Sequence, residues 1–336
     1  MEFGFTLKPD WPLDRLVALT RFAEKHGFTY GWIFDSHVLW KEPYPLLTLM
    51  AQSTERMRLG TCVTNPATRD PTVTASSLAV LQILSKGRMD LGIGRGDSAR
   101  RVIGQRPTTL EDLEAATTLI RDLCEGRRTE RDGVPLQLTW AEPYRLPVWI
   151  AGYGPRALAL TGRIADGAVI QIADPSLVRW CVGLLRDGAV AAGRDPKAVR
   201  VMCAAPAHIG KPEAVRERVR WFPALVSNHV VDLVARYGEK GLPEDLTAYV
   251  RGRPGYDYRH HAESGSSNAA FVDDESVDRF GVVGEVDAHV AKLRELARAG
   301  VSQFNLYLMS GDEDRILEVY GREVIPALKE VAAATT

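Results

Sequence analysis

Short apolar runs alternate with segments of helical periodicity along this chain of 336 residues. The runs are too short for buried helices and mostly lack a polar alternation, which is typical of parallel strands covered on both faces. Eight of them read as strands, at residues 3–7, 30–35, 58–65, 88–94, 147–152, 167–173, 199–209 and 303–309. Eight βα units predict an α/β fold of the (β/α)8 TIM-barrel type. A doubly wound sheet with a second domain is the alternative.

The predicted helices between these strands include residues 12–26, 45–54, 72–85 and 156–165, and a helix from about 312 to 329 closes the chain. Another helix is predicted to begin at Thr108-Thr-Leu-Glu111, which has the pattern of a capping box. That start lies roughly a dozen residues after the fourth strand.

We expect one domain spanning residues 1–336, with two insertions longer than ordinary βα loops. The first, 127–146, contains a predicted hairpin around Asp132-Gly133. The second covers 221–283, and its middle part, 251–271, is rich in Gly, Ser and aromatic residues. Long connections of this kind are often lids over a site.

Charge, apolar runs and cysteine spacing argue against several classes of protein. A net charge of −1 gives no general nucleic-acid footprint, and no apolar run reaches the roughly 20 residues of a membrane span. The N-terminus has no signal-peptide pattern, and the four cysteines form no closely spaced pair, so neither a zinc site nor a disulfide framework is predicted. The adjacent His260 and His261 lack a carboxylate cluster, so we predict no metal. The simple interpretation is a cytoplasmic protein without nucleic-acid or membrane partners.

The stretch MDLGIGRGDSARR (89–101) superficially resembles a dinucleotide fingerprint. The fingerprint requires G-x-G-x-x-G at the start of a helix, but Asp97 stands where the last glycine belongs. We therefore reject a Rossmann site. Gly94 and Gly96 either let the backbone approach a ligand or form a tight turn. Arg100 and Arg101 either attract an acidic ligand or are solvated.

A second glycine-rich stretch, AGYGPRAL (151–158), follows the fifth strand and leads into a helix. Free backbone N–H groups at a helix N-terminus attract phosphate, and Arg156 adds a cation. A plain βα turn is the alternative.

The second strand ends in DSHVLW (35–40), an acid, a histidine and a tryptophan close together. In a barrel this end of the strand faces the active site. His37 is a candidate for proton transfer near neutral pH, with Asp35 orienting it and Trp40 forming a wall for an aromatic ligand. A structural histidine is the alternative.

Three stretches together resemble a known family: EKHGFTYGWIFDSH (24–37), LGTCVTNPATRDPTVTASSLAVLQILSKGRMDLGIGRGDS (59–98) and AGYGPRAL. They are similar to the bacterial luciferase-like superfamily of flavin and deazaflavin enzymes. Within it the chain resembles the branch of methylenetetrahydromethanopterin reductase and related enzymes that depend on coenzyme F420. The resemblance extends to YDYRHHAESG (256–265) and FVDDESVDRFGVVG (271–284).

This resemblance implies a barrel with the cofactor at its C-terminal mouth and a homodimer or higher homo-oligomer. It also implies a bulge in the third strand with a non-prolyl cis peptide at Cys62–Val63, beside the tricyclic ring, and a phosphate site in AGYGPRAL. The implied cofactor-binding residues are Thr6, Asp35, Cys62, Val63, Thr64, Asn65, Arg95, Gly96, Gly152, Tyr153, Gly154, Pro155, Arg156 and Ala157. The implied catalytic residues are His37, Asp35, Trp40 and Asp97.

Three departures from the family pattern affect these assignments. Ser36 separates the acid from the histidine, which are adjacent in related sugar-phosphate dehydrogenases. Asp97 stands where those relatives carry a longer Glu, and Arg95 stands where they carry a small residue. Arg95 is a candidate to meet a cofactor phosphate or an anionic substrate.

The leading hypothesis is therefore hydride transfer between coenzyme F420 and a small organic substrate. The alternative is an FMN-dependent monooxygenase on the same fold, supplied with reduced flavin by a partner reductase. A cofactor-binding protein without catalysis and a metal-dependent barrel hydrolase are more distant alternatives. We expect the substrate pocket to be capped by Tyr256, Tyr258, His260 and His261.

Overall fold

The computed structural model describes residues 1–238, 242–251 and 253–334. Residues 239–241 and 252 of the predicted insertion 221–283, and residues 335–336, lie outside the described part. The strands are β1 (Glu2–Leu7), β2 (Tyr30–Ile33), β3 (Arg58–Thr61), β4 (Met89–Ile93), β5 (Thr129–Arg131), β6 (Val134–Leu136), β7 (Val148–Ala151), β8 (Gly167–Ile170), β9 (Arg200–Ala205), β10 (Ala207–Ile209), β11 (Val282–Gly284) and β12 (Gln303–Leu308).

Eight of these strands form a closed parallel barrel in the order β1-β12-β9-β8-β7-β4-β3-β2. Closure comes from β1, which pairs with β2 on one side and with β12 on the other, so that the barrel has no edge strand. All eight predicted barrel strands are present, and the (β/α)8 fold is confirmed. The assignment of the whole chain to one domain stays a prediction.

The helices, most of which cover the barrel, are α1 (Leu13–Lys25), α2 (Pro43–Ser53), α3 (Pro71–Ser85), α4 (Ser98–Arg101), α5 (Leu110–Cys124), α6 (Pro155–Ile164), α7 (Pro175–Ala191), α8 (Pro212–Val219), α9 (Trp221–Tyr237), α10 (Glu244–Thr247), α11 (Asp274–Phe280), α12 (Val286–Arg298), α13 (Glu313–Val319) and α14 (Ile325–Ala334). A five-residue π-helical segment joins α13 to α14. Among the described residues, no helix is long and apolar enough to cross a membrane.

Two tryptophan rings fill the barrel interior. Trp32 and Trp149 are fully buried and meet edge to face, with ring centroids 5.9 Å apart. Strand glycines make room for them, because a Cβ at Gly60 would lie 2.6 Å from the Trp32 ring and one at Gly167 would lie 2.2 Å from the Trp149 ring. The indole N–H of Trp149 donates to the buried carboxylate of Asp90 at 2.8 Å. The interior is therefore a packed core, and the space for a ligand lies at the strand ends.

Two details of the predicted elements were wrong. The predicted strand 199–209 is two strands, because Pro206 has no backbone N–H and interrupts the ladder between β9 and β10. The capping box of α5 is formed one residue later than predicted, by Thr109 and Asp112. Thr108 instead donates its hydroxyl to the carbonyl of Arg95 at 3.0 Å, which ties the start of α5 to the end of β4.

The two insertions differ in how well their structure was predicted. The hairpin of 127–146 is present as β5 and β6, with Asp132 and Gly133 both at positive φ as a tight hairpin turn requires. The second insertion is not one long loop, because 221–237 is the helix α9. Its first eight residues are all buried, so the amphipathic pattern that marks a surface helix is missing. β10 and β11 pair outside the barrel.

Candidate active site

A cleft opens at the C-terminal ends of the barrel strands. It holds about 1250 Å³ of empty space, including the part open to solvent. Segments that follow β2, β3, β4, β7 and β8 line it, and α9 and residue His261 of the second insertion close one side. This is the end of a (β/α)8 barrel at which active sites lie.

The segment after β3 forms the bulge that the family resemblance implies. The peptide bond between Cys62 and Val63 is cis and non-prolyl, as predicted, and both residues line the cleft. The chain then returns to the sheet, since the amide of Thr64 donates to Gly92 at 2.9 Å and Thr64 accepts from the amide of Gly94 at 2.9 Å.

Asn65 completes the bulge, and its amide side chain stabilises the loop that follows. The side-chain oxygen accepts from the backbone N–H groups of Ala67 and Thr68, each at 3.0 Å, and the side-chain nitrogen donates to the Thr68 hydroxyl at 3.1 Å. Asn65 is buried and lines the cleft, so it fixes the shape of the cleft wall.

Asp35, at the end of β2, is held by an arginine that the sequence analysis did not single out. Its carboxylate accepts from both terminal nitrogens of Arg69, at 2.6 and 3.0 Å, and from the hydroxyl of Thr64 at 2.6 Å. The side chain of Asp35 has no solvent exposure, and that of Arg69 has 14%. These carboxylate contacts raise the pKa of Arg69 despite its burial. Arg69 also binds Glu42, so three charged groups form one network beside the cleft.

The glycine-rich segment after β4 brings backbone and charge to the cleft. Gly96 has a φ of +80°, and a Cβ there would lie 3.0 Å from Asn65, so only glycine fits without strain. Arg95 lines the cleft and donates through Nε to the carbonyl of Thr108. Asp97 binds Arg101 at 2.5 Å and accepts from the hydroxyl of Tyr258 at 3.3 Å.

The segment after β7 places the N-terminus of α6 at the cleft. Gly154 is the N-cap and Pro155 the first helical residue, and the first amide bonded along the helix is that of Leu158, which donates to Gly154 at 2.9 Å. The preceding amides have no partner within the helix and are available to an anion. A Cβ at Gly154 would lie 2.8 Å from Leu233 of α9, so glycine allows α9 to pack against this turn.

The helix α9 contributes a second set of lining residues, including Leu225, His229, Asp232, Leu233, Arg236 and Tyr237. His229 stacks on Tyr153, with ring centroids 4.4 Å apart. Tyr153 donates its hydroxyl to Gln171, and Gln171 donates in turn to the hydroxyl of the buried Tyr307. A hydrogen-bonded chain therefore runs from the cleft wall into the barrel.

Aromatic rings line the cleft beside β2. Phe34 stacks on Trp40 with centroids 5.3 Å apart, and Trp40 lies 6.1 Å from the ring of His261. Tyr258 also stacks on His261, with ring centroids 5.7 Å apart. The hydroxyl of Tyr256 shares a hydrogen bond of 3.0 Å with Nδ1 of His261. Residues 256–261, called the strap below, thus lie against the cleft, as expected for the middle of the insertion.

The structure brings most of the predicted site residues together. Those that line the cleft are Asp35, Trp40, Cys62, Val63, Asn65, Arg95, Gly96, Asp97, Gly152, Tyr153, Gly154 and Ala157. Thr6, Thr64, Pro155, Arg156 and His37 are not among the lining residues. Thr6 is buried and accepts from Asn305 at 2.7 Å, while Arg156 is exposed and pairs with Glu111 at 3.3 Å.

His37 is the largest departure from the predicted site. It is exposed, because residues 36–40 form a turn in which the amides of Leu39 and Trp40 donate to Ser36. This turn returns Trp40 to the cleft and directs His37 away from it. The predicted proton-transfer role of His37 therefore has no geometric support, and the described histidines that line the cleft are His229 and His261.

The residues that the sequence analysis missed lie in two segments. Arg69 lies in a polar loop, and His229, Asp232 and Arg236 lie on a helix that was interpreted as a loop. Their place at the cleft depends on how α9 packs on the barrel, for which the sequence gives no local signal. His261 was the exception, because aromatic and histidine residues clustered in a long insertion had indicated a cap.

Burial lowers the pKa of His261 to about 4, although the carboxylate of Asp97 opposes the shift. An unfolded histidine titrates near pH 6.5, so between these values the unfolded chain binds more protons than the folded protein. The free energy of unfolding should therefore fall as the pH is lowered from about 6.5 to 4. We expect His261→Gln to remove about 1–2 kcal/mol of that decrease, since one pKa unit corresponds to about 1.4 kcal/mol and the ring is partly exposed.

The check is a series of urea unfolding curves between pH 4 and pH 7. His260→Gln is the matched control, because the neighbouring His260 is exposed and pairs with Glu263 outside the cleft. Equal pH dependence in the wild type and in both variants would contradict the assignment.

Known proteins resemble this chain in sequence and in fold. The model of the luciferase-like monooxygenase family matches residues 1–303. The chain belongs to this family. It is 30% identical to the 5,10-methylenetetrahydromethanopterin reductase of Methanolobus tindarius over 97% of this chain and all of that protein. It is 29% identical to the enzyme of the same name from Archaeoglobus fulgidus over 98% of this chain and all of that protein.

A further relative is F420-dependent glucose-6-phosphate dehydrogenase 2 of Rhodococcus jostii, 27% identical over 94% of this chain and 93% of that protein. Among solved structures, the coenzyme F420-dependent tetrahydromethanopterin reductase of Methanopyrus kandleri superposes with a TM-score of 0.77 and 26% identity. The match covers 97% of this chain and 99% of that one. All four are reductases or dehydrogenases by name, and the names of the last two state dependence on F420. The resemblance inferred from the sequence is confirmed at the level of the family and the fold.

Proposed function

We propose that this protein is a coenzyme F420-dependent oxidoreductase that transfers a hydride between the deazaflavin and a small organic substrate in the cleft. The observation that carries the proposal is one cleft that combines the cis bulge at Cys62–Val63 with the N-terminus of α6. The similarity to F420-dependent enzymes over nearly the whole chain supports the choice of cofactor.

The residues present fit such a cofactor. A flat ring needs an apolar wall without protruding side chains, and Cys62, Val63 and Ala151 provide one beside Gly94. Added Cβ atoms at Gly96 and Gly154 would meet Asn65 and Leu233, so both glycines are required to keep this backbone close to the cleft. The free amides at the start of α6 suit a phosphate diester.

When bound, the deazaflavin would exchange a hydride with the substrate at one ring carbon. The chain's own residues would bind and orient it. The bulge after β3 would support one face of the ring, and the amides of α6 would hold the phosphate. Arg95 and Arg236 would add positive charge there, since they are the Lys and Arg residues that line the cleft in the described part of the chain.

Asp35 would not act as a free base, because Arg69 and Thr64 bind its carboxylate. Its role would be to hold the strand end beside the ring. Asp97 is likewise bound to Arg101 and Tyr258, so it would anchor the strap rather than move a proton.

The test is anaerobic oxidation of reduced F420 with a panel of ketones, imines and conjugated alkenes, followed by the absorbance of the coenzyme. Turnover that requires the protein would support the proposal. The FMN-dependent monooxygenase remains the alternative, and oxygen consumption with reduced FMN and a flavin reductase, without F420 turnover, would favour it.

We also propose that the protein is a homodimer in which an apolar face of α3 packs against its counterpart. Val73, Val80 and Leu84 are exposed large apolar residues on one side of this helix, and Ile83 lies beside them. Val80→Glu should convert the dimer to a monomer in light scattering after size exclusion, because a charge would lie in an apolar contact. Val190→Glu, at an equally exposed valine of α7, should leave the mass unchanged. A monomeric wild type would contradict this proposal.

A further inference from the structure

The cleft has two chemically different ends. At one end the charges of Arg95 and Arg236 act on each other, and Tyr237, next to Arg236, lies beside Gly154 at the start of α6, so this end suits an anion. At the other end the lining consists of Phe34, Trp40 and His261. The two ends lie apart, because the strands that carry them, β7 and β2, are separated in the barrel by β4 and β3.

The aromatic end offers no free charge to a ligand. Asp35 is compensated by Arg69, and no Lys or Arg side chain of the described residues lines the cleft between Phe34 and His261. Lys8, a cation whose charge acts on His261, is bound to Asp10 at 2.9 Å. An anionic group placed here would lose its hydration without gaining a partner, which is costly.

One polar group at this end has a defined orientation. The hydroxyl of Tyr256 lies 3.0 Å from Nδ1 of His261, and either group can be the donor of this hydrogen bond. When the phenol donates, the ring proton sits on Nε2, for which the described residues supply no hydrogen-bond partner. Tyr258 stacks on the same ring at 5.7 Å and restricts its rotation.

We propose that the aromatic end binds an uncharged organic substrate with an oxygen acceptor, and that Nε2–H of His261 donates a hydrogen bond to that oxygen. This inference rests on the proposed function and adds the substrate class to it. Tyr256 is the positioning residue, because it acts through His261.

The histidine is a donor and not the source of the transferred proton. Its ring is neutral near neutral pH, because burial lowers its pKa to about 4. In the direction of reduction, the carbon of a substrate C=O group would gain a hydride from reduced F420 and its oxygen a proton from water, while the ring of the coenzyme would return a proton to water. The C=O π bond would break and a C–H and an O–H bond would form, which would give an alcohol and oxidised coenzyme. The hydrogen bond from His261 stabilises the negative charge that develops on the oxygen.

A matched pair of probes tests the substrate class. Protein loaded with oxidised F420 is titrated with acetophenone and with phenyl phosphate, and binding is followed by calorimetry. We expect acetophenone to bind at least about tenfold more tightly than phenyl phosphate, a difference of about 1.4 kcal/mol. Equal or tighter binding of phenyl phosphate would overturn the proposal.

Variants test the role of His261. His261→Phe keeps an aromatic ring beside Trp40 and removes the donor, so acetophenone affinity should fall roughly three- to tenfold, the range for one hydrogen bond. Tyr256→Phe should give a smaller loss. The matched control His260→Phe alters the exposed neighbour and should have no effect. Unchanged affinity in His261→Phe would overturn the role.

The ring nitrogens of His261 provide a readout that does not depend on activity. Long-range ¹H–¹⁵N spectra should show the Nε2–H tautomer in the wild type and a mixture of tautomers in Tyr256→Phe. An Nδ1–H tautomer in the wild type would contradict the proposed donor.

If F420 does not bind, the proposed function fails, and the acetophenone titrations on the free protein still decide the role of His261. If F420 binds and acetophenone does not, only this inference fails.

Discussion

Arg69→Met is expected to lower the free energy of unfolding by about 3–5 kcal/mol. The guanidinium of Arg69 is the charge that compensates Asp35, whose carboxylate has no solvent exposure. Removing one partner of a buried ion pair leaves the other charge without compensation, and costs of this size follow. The wall of the cleft depends on the same network, so cofactor binding should weaken as well. Urea unfolding at pH 7 measures the change.

Two further variants show whether the buried charge is the cause. Asp35→Asn combined with Arg69→Met removes both charges and should recover part of the lost stability. Arg131→Met breaks the exposed pair between Arg131 and Asp70, whose side chains are both more than 40% exposed, and should cost about 1 kcal/mol or less. A loss below about 1 kcal/mol in Arg69→Met would show that the network does not stabilise the fold.

Ala157→Asp is expected to weaken F420 binding roughly hundredfold. Ala157 lines the cleft in the first turn of α6, where the proposed phosphate meets the free amides. Two negative charges a few ångströms apart repel by about 3–4 kcal/mol at an effective dielectric constant near 20. An acidic residue in the first turn of a helix is itself stabilising, so a loss of binding would not reflect unfolding. Fluorescence titration of both proteins measures the change.

The control for this variant uses both another position and another ligand. Ala159→Asp adds the same charge at an exposed position on the same helix and should leave the affinity almost unchanged. The deazaflavin riboside without its phosphate should bind Ala157→Asp as well as the wild type. If Ala157→Asp binds intact F420 normally, the phosphate lies elsewhere.

The barrel could be predicted because each of its strands is recognised from a short local stretch of sequence. Each strand is a short apolar run bounded by turn residues, and parallel strands covered by helices need no other pattern. The end of a strand also predicts the face of the fold, which is why Asp35 and Trp40 were placed correctly at the cleft, whereas the position of the Cys62–Asn65 bulge followed from the family resemblance. The family resemblance added the cis bond, which no local pattern indicates.

The other half of the cleft was not predictable in this way. The helix α9 is buried on nearly all sides of its first half, so its sequence lacks the periodicity of a surface helix. Its residues His229 and Arg236 reach the cleft through tertiary packing against the turn at Gly154. Arg69 lies in the loop whose path is fixed by hydrogen bonds to the side chain of Asn65. Such contacts are visible only in the folded chain.

His37 illustrates the limit of inferring a side chain's direction from its place at a strand end. It lies two residues after Asp35, but the turn at Ser36 reverses the chain between them. One residue of register decides whether a side chain faces the cleft or the solvent. Both His261 and Trp40 lie farther along the chain and nevertheless face the ligand space.

The most direct test of the central claim is a binding titration of the purified protein with F420 and with FMN, each in both redox states. Trp40 lines the cleft, so its fluorescence should report either ligand, and Trp40→Phe identifies its share of the signal. We expect micromolar or tighter binding of F420 and clearly weaker binding of FMN. Preference for FMN, or binding of neither cofactor, would contradict the assignment of this barrel to deazaflavin chemistry.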